Sequence, residues 1–227
     1  MQQHIEIQER RTSADIVFDY LYDQIGSLEL LPGTKISEAD IAAKFGISRQ
    51  PVRDAFSRLG NLDLLLIRPQ KATEVRKFSL TGIAAARFVR LSVELEVLRK
   101  AGAAWDGSRL GEFQDNHARQ HDAIARAEVA ALHARDYEFH RLLCDLAGVA
   151  FAFEIIAKNK AQVDRLCVLS LTAKDGMRQL IEDHELLLDQ LVAGDVDGLC
   201  STIRVHLSRL DDTIDAIHSA HASYFDT

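Results

Sequence analysis

Residues 37–59 constrain the fold of this chain more than any other stretch of its 227 residues. They contain two short helical patterns, with Ser37 before the first and Ser48 before the second, positions at which serine caps helices. Gly46 lies between the patterns, and glycine readily adopts the left-handed backbone that ends a helix. Pro51 falls in the first turn of the second pattern, where a missing N–H costs little. The segment therefore predicts two helices joined by a tight turn.

The second predicted helix has an apolar side and a charged side. Its apolar stripe consists of Val52, Phe56 and Leu59, whereas Arg49 and Arg53 lie one turn apart on a different face. Arginine pairs with guanine edges and with phosphates, so this pattern is typical of a DNA recognition helix. We expect both arginines to contact the major groove. We also expect Gln50 to contact a base edge, and Arg58 and Lys71 to bind phosphates.

The charge of the chain is distributed unevenly. The net charge is −7, yet residues 44–77 contain eight Lys and Arg against three Asp and Glu. Residues 78–227 contain 16 basic and 23 acidic residues. A local basic surface is the electrostatic pattern of a DNA-binding domain. The acidic remainder is expected to repel DNA and to leave the duplex on the N-terminal part.

The sequence predicts a mostly α-helical protein, since prolines are few and strong helix formers are common. We expect two domains, residues 1–77 and residues 78–227. In the first domain, the apolar segments 64–67 and 74–75 flank a polar turn that contains Lys71. This order is typical of the two-stranded wing of a winged helix-turn-helix. The second domain is predicted to be an all-α antiparallel bundle. Its helices are expected at about 81–101, 109–126, 128–147, 151–173, 176–193 and 196–220, with a break at Gly102.

Several features indicate the compartment. No run of about 18 uncharged apolar residues occurs, and the N-terminus has no signal-peptide pattern, so we expect no membrane association. The three cysteines, Cys144, Cys167 and Cys200, are odd in number and widely spaced. They are typical of reduced core thiols, and a cytoplasmic location is expected.

A group of histidines in the second domain predicts a metal site. Asp136 and His140 lie four residues apart and share one helical face. Gly194 lies ten residues after His184 and twelve before His206. At about 1.5 Å per residue, both histidines stand roughly 15–18 Å from the turn of that hairpin, at similar heights. One carboxylate and three imidazoles suit Zn, Ni, Mn or Fe(II), although isolated histidines are also common as ordinary core or surface residues.

Two parts of the sequence resemble one family. Residues 31–38 and 48–55 are similar to the helix-turn-helix of GntR-type transcription regulators, and the later Asp-x-x-Phe-His run and histidines resemble the FCD ligand domain of the FadR branch. The resemblance covers residues 14–215. It implies a bundle of six or seven helices, a homodimer, a carboxylate effector and a bound divalent metal. The residues that match the metal ligands of the family are Asp136, His140, His184 and His206.

The resemblance also suggests effector-binding residues. Arg90 matches an arginine that relatives point into the effector cavity, although an arginine four residues before Glu94 is alternatively a surface ion pair. Asn159 is a second candidate, and Arg165 is a weaker one. The wing departs from the family pattern, since glycine is usual where this chain has Asp63, Gln70 and Ala72.

Other histidines give weaker signals. His117 and His121 also lie four residues apart, but their polar neighbours are typical of a solvated face. His133 shares a face with Asp136 and is a candidate for contact with a metal ligand rather than with a metal.

We expect a homodimeric transcriptional regulator, a repressor, that binds an inverted-repeat operator in double-stranded DNA. Its DNA affinity would depend on a small organic acid bound beside a divalent ion, with Zn, Ni or Mn favoured. One alternative is a metalloenzyme fused to a DNA-binding module, which requires a general base beside the metal. Glu138 is the nearest candidate base, and its position in the helix directs it away from the metal face. The other alternative is a sensor for the ion itself.

Overall fold

The computed structural model describes residues 11–170, 174–209 and 211–226. The N-terminal elements form a winged-helix unit, and the later helices form a bundle. The winged-helix unit consists of α1 (Ser13–Gly26), β1 (Lys35–Ile36), α2 (Glu38–Phe45), α3 (Arg49–Asn61), β2 (Leu65–Leu66) and β3 (Thr73–Val75). The bundle consists of α4 (Leu80–Ala104), α5 (Leu110–Ala125), α6 (Val129–Leu146), α7 (Ala152–Ser170), α8 (Lys174–Ala193), α9 (Val196–Ser208) and α10 (Asp211–Ala220), followed by a 3₁₀ turn (Ala222–Tyr224).

The predicted helix-turn-helix is α2 and α3. Ser37 caps α2, because its hydroxyl accepts the backbone N–H of Ala39 at 3.1 Å. Gly46 ends α2 in the left-handed conformation, with φ 64°. Ser48 stands at the N-cap of α3, but its side chain makes no capping hydrogen bond. The apolar stripe of α3 is fully buried against α1, in a core that includes Val17, Leu21, Ile25, Val52, Phe56 and Leu59.

The wing is part of a three-stranded antiparallel sheet with the order β1-β3-β2. The pairing of β2 with β3 confirms the predicted hairpin, whereas β1 was not predicted because two residues carry no periodic signal. Asp63 and Gln70 both have φ 58°. Two of the positions where the family pattern has glycine therefore adopt a backbone conformation that glycine tolerates best.

The bundle follows the predicted helices with two corrections. Gly102 does not break a helix but lies inside α4, where an added Cβ would come within 2.8 Å of Val196. Its missing side chain lets the start of α9 approach α4. The helix predicted over 196–220 is divided into α9 and α10, with Arg209 as the last capping residue of α9.

The core of the bundle lies among the helices α4 to α9, and contains Leu98, Phe113, Phe139, Ile156, Leu187 and Leu199. Cys144 and Cys200 are free thiols, whereas the side chain of Cys167 lies outside the described residues. Within the described parts of the chain, no helix is long and apolar enough to cross a bilayer.

The winged-helix unit packs directly on the bundle. Ala161 of α7 is buried in the core of the winged-helix unit. The hydroxyl groups of Tyr22 on α1 and Tyr137 on α6 are hydrogen-bonded at 2.9 Å. A short connection, residues 76–79, links β3 to α4 along the same contact. The helix that carries Asp136 and His140 therefore also contacts the winged-helix unit.

Candidate metal centre and DNA-binding surface

The four predicted metal ligands converge in the bundle. Asp136 and His140 come from α6, His184 from α8 and His206 from α9, and one ligand atom from each lies within 4.8 Å of the others. The rings of the three histidines are 5.0–5.7 Å apart between centroids. Asp136, His140 and His184 are at most 2% exposed. The hairpin of α8 and α9 thus brings two distant histidines to the height of the α6 pair.

The three imidazoles share one pattern of outer contacts. Each Nδ1 faces a side chain from outside the cluster: Glu94 Oε2 at 2.8 Å for His140, Gln120 Oε1 at 2.9 Å for His184, and Asp183 Oδ2 at 3.2 Å for His206. Acceptors at Nδ1 place the proton there and leave a lone pair on Nε2. In metal sites, such outer partners fix the tautomer and the ring orientation of the ligand.

The orientation of the Gln120 amide follows from its neighbours. Asn116 Nδ2 donates to the backbone carbonyl of Arg135 at 3.0 Å and to Glu138 at 3.1 Å, and both of these groups only accept. The Asn116 oxygen therefore accepts from Gln120 Nε2 at 2.7 Å. This leaves the Gln120 oxygen for His184. A relay of amides thus sets the tautomer of a buried histidine.

The donor set fits a divalent transition metal. Asp136 Oδ1 and His184 Nε2 are buried and have no hydrogen-bond partner among the described residues, although they lie 3.3 Å apart. Unpaired buried polar atoms are costly, and a cation between them would satisfy both. The four ligand atoms already lie within 4.8 Å of one another, so an ion among them could draw them into its coordination sphere.

The electrostatics favour the ligand forms of two residues. Burial opposes ionisation of Asp136, but the Lys160 ammonium and the neighbouring imidazoles hold its pKa well below the ordinary range. Burial lowers the pKa of His184 to about 3. The carboxylate is therefore charged and this imidazole neutral near pH 7, as metal ligation requires.

Two buried cations border the cluster. Arg90 is 7% exposed, pairs with Glu94 at 2.5 Å, and places Nη2 3.1 Å from His140 Nε2. The alternative of a surface ion pair with Glu94 is therefore wrong. Lys160, 4% exposed, places Nζ 2.5 Å from Asp136 Oδ2. The sequence did not predict a lysine beside the cluster, since lysines in helices usually face solvent.

Two predicted candidates on α7 are placed elsewhere. The Asn159 amide donates to the Ile155 carbonyl of its own helix at 2.7 Å, and its neighbour Lys160 is the residue that reaches the cluster. At this position of α7, Lys160 rather than Asn159 contacts the cluster. Arg165 lies against the 76–79 connection, where Nη2 donates to the Arg76 carbonyl at 2.7 Å.

The DNA-binding candidates are exposed on α3 and on the wing. Arg49, Gln50 and Arg53 lie at the exposed N-terminal end of α3. Arg53 pairs with Glu38 of α2 at 3.0 Å, and the Gln50 amide donates to Asp54 at 2.9 Å. These pairs hold the long side chains across the outer face of the helix-turn-helix, and they must open or rotate for either side chain to contact a base.

Arg58 and Lys71 differ in how they are held. Arg58 pairs with Asp15 at 2.8 Å, and its guanidinium lies 4.1 Å from the ring centre of Phe18. It therefore fastens α3 to α1 while its side chain is 46% exposed. Lys71 lies exposed in the turn between β2 and β3, at the end of the wing.

A second histidine group lies on the surface. His117, His121 and Glu185 also gather ligand atoms within 4.8 Å, and both imidazoles lie 3.0 Å from the same carboxylate oxygen. His121 and Glu185 are about half exposed, as the polar neighbours predicted. Glu138 pairs with Arg135 at 2.7 Å and with Asn116, so it belongs to the amide relay rather than to the ligand set.

The same two regions match known families. Residues 13–75 match the bacterial regulatory proteins of the gntR family, and residues 86–209 match the FCD domain. The chain belongs to the GntR family of transcriptional regulators, with an FCD domain at its C-terminal side. A transcriptional repressor of Escherichia coli K12, RspR, is 30% identical over 196 residues, 86% of each chain. A helix-turn-helix regulator from an unstable DNA locus of Streptomyces ambofaciens is 29% identical and covers 96% of this chain and 91% of its own.

Solved structures show the same fold. McbR/YncC of E. coli aligns with a TM-score of 0.76 at 20% identity, over 93% of this chain and all of its own. A GntR regulator from Rhodococcus sp. RHA1 aligns with a TM-score of 0.73 at 22% identity, over 89% of this chain and 97% of its own. This GntR chain is thus a transcriptional regulator, as its relatives are, and the metalloenzyme alternative is set aside.

The outer partners of the histidines in this GntR regulator are not predictable from its sequence. Glu94, Gln120 and Asp183 lie on three different helices, and pairing across helices has no sequence period. One signal was available: Asp183 directly precedes His184. Its carboxylate nevertheless serves His206 of the neighbouring helix rather than the histidine beside it.

Proposed function

We propose that this GntR regulator represses transcription as a homodimer on an inverted-repeat operator, and that a small carboxylate bound beside a divalent ion controls its DNA affinity. In this proposal residues 1–77 and 78–227 act as the DNA-binding and effector-binding domains. The metal ligands are Asp136, His140, His184 and His206, and the ion is Zn, Ni or Mn.

The convergence of three imidazoles on one buried carboxylate supports the proposal. Histidines that merely fill a core have no reason to gather around a carboxylate oxygen that has no hydrogen-bond partner among the described residues. Here Nδ1 of His184 and of His206 is hydrogen-bonded to an outer side chain, and His140 Nδ1 lies 2.8 Å from the Glu94 carboxylate. Asp136 Oδ1 lies 3.3–3.5 Å from Nε2 of His184 and of His140. When bound, the ion supplies open coordination positions at which a carboxylate oxygen can replace water.

Arg90 and Lys160 are suited to bind the effector. Both are buried cations within 3.1 Å of a ligand side chain, so an anion that approaches the ligand cluster meets positive charge. Arginine can grip a carboxylate with two parallel N–H bonds. Since Arg90 contacts His140 Nε2, it must withdraw when that atom ligates an ion. The withdrawn guanidinium is then available to the effector.

The DNA contacts that we propose are on α3 and the wing. Arg49 and Arg53 read or clamp the major groove, Gln50 contacts a base edge, and Arg58 and Lys71 bind phosphates. A single recognition helix covers few base pairs, so two helices of a dimer must act together on an inverted repeat. The bundle is the proposed dimer surface, and Phe88 of α4, 74% exposed, is a candidate contact.

A thermal-shift screen of small organic acids tests the effector site. Full-length protein as purified and the same protein after EDTA treatment are compared with a panel of mono- and dicarboxylic acids. A binding acid raises the melting temperature, because a native-state ligand at about 100 times its dissociation constant adds about 2.7 kcal/mol of stability. The proposal requires that this increase be lost after EDTA and restored by Zn, Ni or Mn.

Three variants test where the acid that raises the melting temperature binds. Arg90→Gln and His206→Ala should abolish the shift, and His121→Ala at the surface histidine group should retain it. An acid that stabilises all three variants equally would show that it binds elsewhere. If added metal alone changes operator affinity and no acid does, the chain is a sensor of the ion itself.

A further inference from the structure

A cavity of about 350 Å³ lies where the winged-helix unit meets the bundle. Its wall combines residues 63–64 before β2, the connection 76–79, residues 81–83 in the first turn of α4, and Gln162 and Arg165 of α7. Cavities of this size accommodate small molecules. An occupant would contact both parts of the protein at once.

Arg165 is the key residue of this wall. It is 3% exposed, and its guanidinium lies 4.4 Å from the ring centre of Phe78. Nη2 donates to the Arg76 carbonyl, but Nε and Nη1 are buried without a partner among the described residues. Burial, followed by the nearby charge of Arg76, lowers the pKa of Arg165 to about 10, so the guanidinium is still charged at neutral pH. A buried cation with unpaired donors is costly unless an anion meets it.

The rest of the wall is also positive. Arg76 and Lys77 lie beside Arg165, and Arg76 Nε is likewise buried without a partner among the described residues. Asp63 is the one carboxylate of the described lining, and it lies 3.5 Å from Arg76. The cavity also borders the N-terminus of α4, where the helix dipole adds positive potential.

We propose that this cavity binds a small oxyanion of the carboxylate or phosphate class, at a site distinct from the metal centre. Lys160 borders the metal centre, and Arg165 lies five residues later on α7. At 3.6 residues per turn, five residues correspond to a rotation of roughly 140° about the helix, so the two side chains face different sides. The anion joins the connection 76–79 to α4 and α7. It therefore fixes the position of the winged-helix unit on the bundle.

Calorimetric titration of the full-length protein, as purified, with inorganic phosphate and with succinate tests this site. Arg165→Gln should weaken the tighter of the two anions at least tenfold. Arg99→Gln is the matched control, because Arg99 is a half-exposed arginine of α4 that pairs with Glu96 of the same helix at 3.6 Å. Phosphate binding alone identifies a phosphate-class ligand, and succinate binding alone a carboxylate-class ligand.

The His206→Ala variant separates this site from the metal centre. The tenfold effect of Arg165→Gln should persist in the His206→Ala background. If His206→Ala abolishes anion binding and Arg165→Gln does not, the anion binds only at the metal centre and the proposal is wrong. The existence of the metal-dependent effector site would remain testable by the acid screen, so the two proposals can fail separately.

A second variant, which adds a negative charge to the cavity wall, controls for misfolding. Gln162→Glu places a carboxylate in the wall of the cavity, near the unpaired donors. It should raise the melting temperature and abolish binding of both anions, an outcome that a misfolded variant cannot imitate. A lower melting temperature with unchanged anion affinity would overturn the proposal.

Discussion

The hydroxyl groups of Tyr22 and Tyr137 form a hydrogen bond of 2.9 Å that joins the winged-helix unit to α6, the helix of Asp136 and His140. Tyr137 directly follows Asp136, and the Lys160 ammonium contacts both, at 2.5 Å from the carboxylate and 4.5 Å from the centre of the tyrosine ring. Lys160 and Tyr137 thus connect Asp136 to α1 through a chain of contacts. We expect this chain to couple the proposed effector site to the DNA-binding surface.

Removal of one hydroxyl should weaken that coupling. We expect Tyr22→Phe to reduce the effector-induced change in operator affinity by about 0.5–2 kcal/mol, while metal content stays unchanged. The measurement is fluorescence anisotropy on an operator fragment selected in vitro, with and without the acid found by thermal shift. Tyr20→Phe is the control, because its hydroxyl bonds within the winged-helix unit. Equal responses in wild type and Tyr22→Phe would exclude this route.

The outer partners should tune metal affinity. Asp183 accepts from His206 Nδ1 and also pairs with Arg209 at 2.6 Å. Since such partners orient the ligand and raise its basicity, Asp183→Asn should weaken metal binding about 10–100-fold. Competition with a chromophoric chelator measures the affinity. Glu182→Gln, at an exposed neighbouring position, should leave it unchanged. A wild-type affinity for Asp183→Asn would mean that His206 is not a ligand.

Arg53 should carry sequence-specific binding energy. Arg53→Ala is expected to cost about 1–3 kcal/mol on the selected operator, if the guanidinium makes a bidentate base contact. Glu38→Gln removes the ion pair that holds Arg53 in the free protein, and should strengthen binding slightly because a negative charge near the phosphates is lost. Arg99→Ala in the bundle is the control. Unchanged operator affinity in an Arg49→Ala, Arg53→Ala double variant would remove α3 as the recognition helix.

The wing offers a test of backbone strain. Gln70 has φ 58°, a conformation that costs a non-glycine residue about 1–2 kcal/mol. Gln70→Gly relieves this cost, but it also increases the conformational entropy of the unfolded chain, which lowers stability by about 0.5–1 kcal/mol. We therefore expect a net stabilisation of about 0.5 kcal/mol. Ala72→Gly, at a position without positive φ, should destabilise. Chemical denaturation compares the two, and equal effects of both substitutions would argue against strain at Gln70.

The convergence of the four predicted ligands could be deduced from the sequence because it follows from simple helix geometry. Asp136 and His140 share a helical face, and His184 and His206 lie at nearly equal distances from one tight turn. Lys160 was missed, since its burial depends on packing of α7 against α6 that no periodicity encodes. The helix over 196–220 was predicted unbroken because its apolar pattern continues across the division between α9 and α10. Arg165 had been considered for the effector site, but its position in α7 turns it toward the 76–79 connection.

Elemental analysis of purified full-length protein tests the central claim most directly. We predict close to one Zn, Ni or Mn ion per chain. The His184→Ala and His206→Ala variants should lose most of this metal, and His121→Ala should retain it. The two depleted variants should also melt at lower temperature, because their remaining buried ligands lose their partner. Metal-free wild-type protein whose melting temperature does not change on addition of Zn, Ni or Mn would contradict the account. Asp136 and its three histidines would then form a polar core network.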